Sequence, residues 1–103
     1  MGKILTVKWT LIAADEYQSV VDWLLLHWNE KIAMQFVANV ENKIELLAKF
    51  PLMGTPSEVM PACYKTLIPP YHVIIYKLQT DSIEIIRLFD TRQNPEKLTA
   101  EDL

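Results

Sequence analysis

The sequence predicts an α+β domain in the order β-α-α-β-β-β, with a mostly antiparallel sheet and an N-terminal helical hairpin packed on one of its faces. Three features predict it. Apolar and polar residues alternate at the N-terminus, two long stretches at helical spacing follow, and the second half is a series of β-branched runs divided by turn residues. The last and longest stretch, Ile83 to Leu98, organises the rest. Ile83, Ile85, Ile86, Leu88 and Phe89, interrupted only by Glu84 and Arg87, suit an inner strand buried on both faces. At Asp90-Thr91-Arg92-Gln93-Asn94 the chain turns polar, and Pro95, which has no amide hydrogen, stops the ladder. Side chains at the end of a buried strand are held more rigidly than those on a free loop, so Asp90 and Arg92 are the first candidates for a site. The same two residues would equally suit a contact that only ties off the strand.

From the start, Lys3 to Trp9 places Leu5, Val7 and Trp9 on one face and Thr6 and Lys8 on the other, a half-buried strand. Thr10 can cap a helix reaching Trp28 whose core side is Ala13, Tyr17, Val20, Val21 and Leu24. Asp15 and Glu16 fall early enough to meet the positive end of its dipole. Trp23 is expected in the core, whereas Trp28, near the helix end, is more open and is a candidate for a partner-binding face. His27 reads as a solvated residue suited to a helix C-terminus. Asn29 can cap a second helix from Glu30 to about Lys49, with a buried stripe of Ala33, Phe36 or Val37, Val40, Ile44 and Leu47. So short a link makes the two helices antiparallel neighbours. Glu45 and Lys49 form an i, i+4 pair on the outer face, worth roughly a few tenths of a kcal/mol.

Pro51 and Gly54 end the second helix, and a loop runs through Met60-Pro61. Cys63 to Ile68 and Tyr71 to Leu78 are the next strands, parted by Pro69-Pro70, and Thr80-Asp81-Ser82 turns the chain into the organising strand. Residues 1–98 are expected to form one domain and residues 99–103 a frayed tail.

The 103 residues suffice for one core. With 10 Lys and Arg against 13 Asp and Glu, the net charge is −3 and the basic excess that drives non-specific nucleic-acid binding is missing. A single cysteine, Cys63, excludes an internal disulfide, and with only His27 and His72 beside it no metal-ligand spacing arises. Cys63 is expected as a small buried hydrophobe. No apolar run approaches the roughly 20 residues of a membrane span, and there is no glycine-rich phosphate loop. The expectation is a cytoplasmic protein with no metal, nucleotide or organic cofactor.

Several landmarks then stand in order: Trp9-Thr10 followed by Ala13, Leu47 to Gly54 as LAKFPLMG, Cys63 to Leu67 as CYKTL, Tyr71 to Tyr76 as YHVIIY, and Ile85 to Pro95 as IIRLFDTRQNP. In this order and spacing the chain resembles the RelE/ParE superfamily of bacterial type II toxin–antitoxin systems, in its ParE-like or plasmid stabilisation branch. The resemblance implies a small toxin neutralised by a cognate antitoxin, whose helix and extended segment wrap it, in a hetero-oligomer or with the toxin as a homodimer.

RelE-like members are ribosome-dependent ribonucleases that cut mRNA. Such chemistry needs help in ionising the 2′-hydroxyl, cationic donors around the phosphorane and a proton donor for the 5′-oxygen. On that pattern Lys65 and Arg92 match a lysine and an arginine of the class. The arginine before the Tyr76 position gives way to Val73, with His72 adjacent as candidate base, and the late tyrosine falls on Leu98, which cannot transfer a proton. ParE-like members inhibit DNA gyrase by binding it and need no catalytic set. The IIRLFD stretch is closer to theirs, with Arg87 where they commonly carry arginine and Asp90 in place of a histidine. The resemblance thus implies a ParE-like toxin acting on a target such as DNA gyrase, with Trp28, Arg87, Asp90 and Arg92 as target- or antitoxin-binding candidates. The alternative it implies is an mRNA endoribonuclease using Lys65, His72, Arg87 and Arg92, with the ribosome and mRNA as partners. A third is a domain that kept antitoxin contact and lost toxicity.

Overall fold

The computed structural model describes residues 4–92. Pro95, Leu98 and the tail expected at 99–103 lie outside the described residues. The elements are β1 (Thr6–Trp9), α1 (Leu11–His27), α2 (Glu30–Lys49), β2 (Thr55–Pro56), β3 (Cys63–Ile68), β4 (His72–Leu78) and β5 (Ser82–Asp90). They build one sheet in the order β1-β5-β4-β3-β2. β1 runs parallel to β5, from Thr6 opposite Ser82 to Trp9 opposite Ile85, and the remaining pairs are antiparallel. The expected α+β architecture is the observed one.

Both helix starts are made by the residues expected to make them. Thr10 Oγ1 accepts from the Ala13 amide at 3.0 Å, and Asn29 Oδ1 accepts from the Ile32 amide at 2.9 Å, each satisfying a donor that the first helical turn leaves open. Asn29→Ala is expected to cost about 1 kcal/mol, read as a lower urea midpoint at unchanged slope; an unchanged midpoint would mean that water serves the α2 terminus equally well.

The stripe of α2 is Ala33, Phe36, Val40, Leu47 and Ala48, and α1 adds Ala13 with Tyr17, Val20, Val21 and Leu24. They pack on Ile68, Ile74, Tyr76, Ile83, Ile85 and Leu88. On the other side of the sheet Met60, Cys63 and Ile75 form a second core with Val73, Ile86 and Phe89. β5 therefore feeds both cores, as its composition predicts. Its alternation breaks between Ile85 and Leu88, because Ile75 pairs with Arg87 and Tyr76 with Ile85, leaving Ile86 unmatched in a β-bulge.

Four local expectations are corrected. β1 is shorter than the alternation suggests: the Leu5 amide already turns to the Ala48 carbonyl at 3.0 Å. β2 arises in the stretch expected as loop, with Thr55 opposite Lys65 and Pro56 opposite Tyr64; an edge strand tolerates a proline whose missing donor faces outward. Trp23 is 48% exposed instead of buried. Leu24, one residue on and rotated about 100° around the axis, takes the core side, and Trp23 stacks on His27 with centroids 4.6 Å apart. Asp15 and Glu16 do not serve the dipole of α1, whose first turn holds no acidic residue, because the helix begins at Leu11 and both fall in its second turn. Glu16 is used by β5 instead.

That use follows from the length of β1. The Thr10 amide donates to the Ile85 carbonyl at 3.0 Å, and there the strand pairing ends. Beyond it one edge of β5 would be bare, and α1 closes it with side chains. Thr10 Oγ1 donates to the Ile86 carbonyl at 3.0 Å, and Glu16 Oε1 accepts from the Leu88 amide at 3.0 Å. Among the described residues, no helix is long and apolar enough to cross a membrane.

Candidate functional site

The hairpin and the strand ends enclose a cleft of about 740 Å³, with Trp23, Leu24, Trp28, Ile32 and Phe36 on the helical side and Pro70, Tyr71, His72, Asp90 and Arg92 on the strand side. The register sets the strand side. His72 opens β4 directly opposite Asp90 at the close of β5, and the Thr91 amide donates to the Tyr71 carbonyl at 2.7 Å. That bond folds Arg92 back over the strand end. Its guanidinium sits 4.0 Å above the Tyr71 ring, a cation–π contact.

Asp90 and Arg92 are locked to each other. Arg92 Nη2 donates to Asp90 Oδ2 at 2.6 Å and Nε to both carboxylate oxygens at 3.1 Å, while the Arg92 amide donates to Oδ1 at 2.8 Å. The Arg92 hydrogen bonds hold the Asp90 carboxyl below the usual range against the opposing effect of burial, and the same pairing raises Arg92. The strand end is thus tied off by the contact its sequence allowed for.

His72 is buried, its ring tilted against Phe36 at 4.9 Å. Nδ1 is enclosed without a hydrogen-bond partner. Burial pushes the imidazole pKa below its ordinary value, Asp90 opposes that shift and Arg92 adds to it. The cleft therefore presents a neutral ring beside a self-neutralised ion pair.

Of the sequence candidates, the fold gathers Trp28, His72, Asp90 and Arg92 on this cleft. Lys65 and Arg87 are elsewhere. Lys65 is exposed on β3 opposite Ile75, on the sheet face of Cys63 and Ile75, while His72 faces the helices through Phe36. Arg87 is held by Glu16, with Nη2 2.8 Å from Oε2 and Nε 3.0 Å from Oε1. Leu98, the match to the late nuclease tyrosine, lies outside the described residues. Glu16, Phe36, Trp23 and Tyr71 are not among the site candidates that the sequence offers. No local pattern links Glu16 to Arg87, 71 residues away, although Tyr71 beside Pro69-Pro70 at a strand start was a usable signal. Among the described residues no group of three or more His, Cys, Asp or Glu could hold a metal ion.

The fold is similar to that of solved proteins at low sequence identity. A chain of the chromosomal ParDE toxin–antitoxin system from P. aeruginosa superposes with a TM-score of 0.73 at 19% identity, over 84% of this chain and 96% of that one. A YoeB/ParE toxin from Agrobacterium tumefaciens gives 0.64 at 17% identity, over 84% and 98%. A conserved hypothetical protein from Helicobacter pylori gives 0.56 at 14% identity, over 85% and 96%. No curated protein sequence matches. The model of the ParE toxin of type II toxin–antitoxin systems, parDE, matches residues 7–95, from the first strand past the Asp90–Arg92 tie. On a match that spans both helices and the strand end, this chain belongs to the ParE toxin family of type II toxin–antitoxin systems.

Proposed function

We propose that this toxin acts in the cytoplasm by binding and inhibiting a target protein such as DNA gyrase, and that a cognate antitoxin holds it inactive. One observation carries the reading: the groups that phosphodiester cleavage would need are dispersed or already engaged. Lys65 lies on the far face of the sheet, Arg87 is bound by Glu16 and Arg92 by Asp90. Cleavage requires cationic donors converging on one phosphorane. Binding requires only a complementary surface, and the cleft with its exposed tryptophans supplies one.

The test is to induce the chain alone in a bacterium and follow thymidine and amino-acid incorporation in the same culture. DNA synthesis is expected to fall first, and the purified chain to inhibit gyrase supercoiling. Arg92→Ala is expected to weaken that inhibition about tenfold or more, with Lys65→Ala near wild type. Earlier loss of protein synthesis with cut mRNA would instead make His72 and Arg92, which share the cleft, a ribonuclease site. Loss of neither, with folded protein present, would mark a chain that kept antitoxin binding alone.

A further inference from the structure

A second crevice opens where the first half of α1 passes the second half of α2, and it shares no lining residue with the cleft. It holds about 610 Å³, with Trp9, Tyr17, Val40 and Ile44 as its apolar walls and Glu41 and Glu45 among the residues that line it. Trp9 and Tyr17 are stacked, their ring centroids 5.2 Å apart and their planes 18° from parallel. Both rings pack against the main core, as Ile44 does, and Val40 belongs to it. The aromatic wall is therefore held in place by the fold. Glu41 and Glu45 stand one turn apart on α2, both exposed, and are the only charged groups of the described lining. Glu45 has Lys49 at 3.5 Å. Among the described residues Glu41 has no ion pair, and its charge reaches the aromatic wall: burial, and after it Glu41, push the Tyr17 phenol above its ordinary pKa.

Aromatic rings attract a cation through their quadrupole and a carboxylate attracts it through its charge, so the crevice selects a positive occupant. Two carboxylates fall short of a metal site, and no group of three or more His, Cys, Asp or Glu occurs among the described residues. The apolar walls also ask for a cation that carries hydrocarbon. An arginine side chain has that form: a methylene stem that packs on aliphatic surface, and a flat, weakly hydrated guanidinium that stacks on rings better than an ammonium does. This chain has two arginines, Arg87 and Arg92, held by Glu16 and Asp90. A second copy thus offers no uncommitted guanidinium.

We propose that this crevice receives an arginine side chain of a different, partner polypeptide, with its guanidinium against the Trp9–Tyr17 pair and the Glu41 carboxylate and its stem along Val40 and Ile44. Glu41 is then the residue that selects charge, and the aromatic pair selects guanidinium over ammonium. Because the crevice and the cleft have no residue in common, one molecule can fill both at once.

The test is an NMR titration of the full chain at low salt with N-acetyl-L-arginine N-methylamide as probe. Expected are saturable binding, guanidinium protons shifted upfield by the rings, movement of the Trp9 indole signal, and Trp23 and Trp28 indoles that stay in place. The citrulline analogue, which has the same shape without the charge, is expected to show no saturable binding, and the lysine analogue to bind more weakly than the arginine one. Glu41→Gln, a change at an exposed position, is expected to weaken binding about two- to fivefold, and Glu41→Lys, which sets a like charge at the rim, by roughly tenfold or more. Citrulline binding equal to arginine, lysine binding as tight or tighter, shifts at Trp23 and Trp28 in place of Trp9, or wild-type affinity in both folded Glu41 variants would each overturn the proposal. None of these outcomes depends on which target the toxin binds, since failure of that reading appears in growth and labelling.

Discussion

Gly54→Ala is expected to destabilise the protein by roughly 3–4 kcal/mol, the sum of an overpacking cost and broken buried hydrogen bonds. A Cβ at this position would stand 2.5 Å from the Tyr76 hydroxyl and 2.6 Å from the Lys65 carbonyl. Neither neighbour can yield cheaply. Tyr76 is fully buried, and the Lys65 carbonyl belongs to the backbone of β3. The contact is close because Gly54 forms part of the lock between the end of α2 and the sheet. Tyr76 Oη donates to the Pro51 carbonyl at 2.7 Å and accepts from the Gly54 amide at 3.1 Å. A methyl group pushes the two apart and loosens both bonds. Urea unfolding gives the number, and a loss under about 1 kcal/mol would show that the loop shifts without strain. Combining Gly54→Ala with Tyr76→Phe removes the hydroxyl from both the clash and the bonds, so the double variant is expected to lose less than the sum of the singles.

Glu16→Ala is the second large effect, at about 3 kcal/mol. The side chains of Arg87 and Glu16 are only 14% and 22% exposed, so little solvent screening reduces their attraction. The carboxylate also takes the Leu88 amide, and deleting it removes the acceptor that closes the edge of β5 past β1. Glu16→Gln keeps an oxygen for that amide but loses the charge, and it should fall between alanine and wild type. Glu45→Ala breaks an exposed pair, with Glu45 at 68% and Lys49 at 46%, and should be nearly silent. Equal losses at Glu16 and Glu45 would refute the account. The result also bears on Arg87: a loss of toxicity on its replacement needs a measured stability beside it, since Arg87 ties β5 to α1 as well as being a candidate contact.

Local patterns in the chain determined the order of every element but β2, the two caps at Thr10 and Asn29, the stripe of α2 and the two-faced burial of the last strand. Each of these follows from residues within a few positions of one another, where periodicity and turn chemistry act directly. The four residues the fold brings to the cleft were legible as candidates too, because strand ends and helix ends are where buried scaffolding meets solvent. What tertiary structure alone decided is the pairing across distance. Arg87 reads as a candidate contact of the last strand, and only the packing of α1 lays Glu16 beside it. Lys65 reads as a partner of Arg92 until the register turns it to the other face of the sheet, since one residue of strand changes the face. His72 reads as an ordinary strand histidine until Phe36 covers it and leaves Nδ1 without a partner. Charge and burial are properties of surroundings assembled from segments far apart in the chain, so the residue types were visible in the sequence and their states were not.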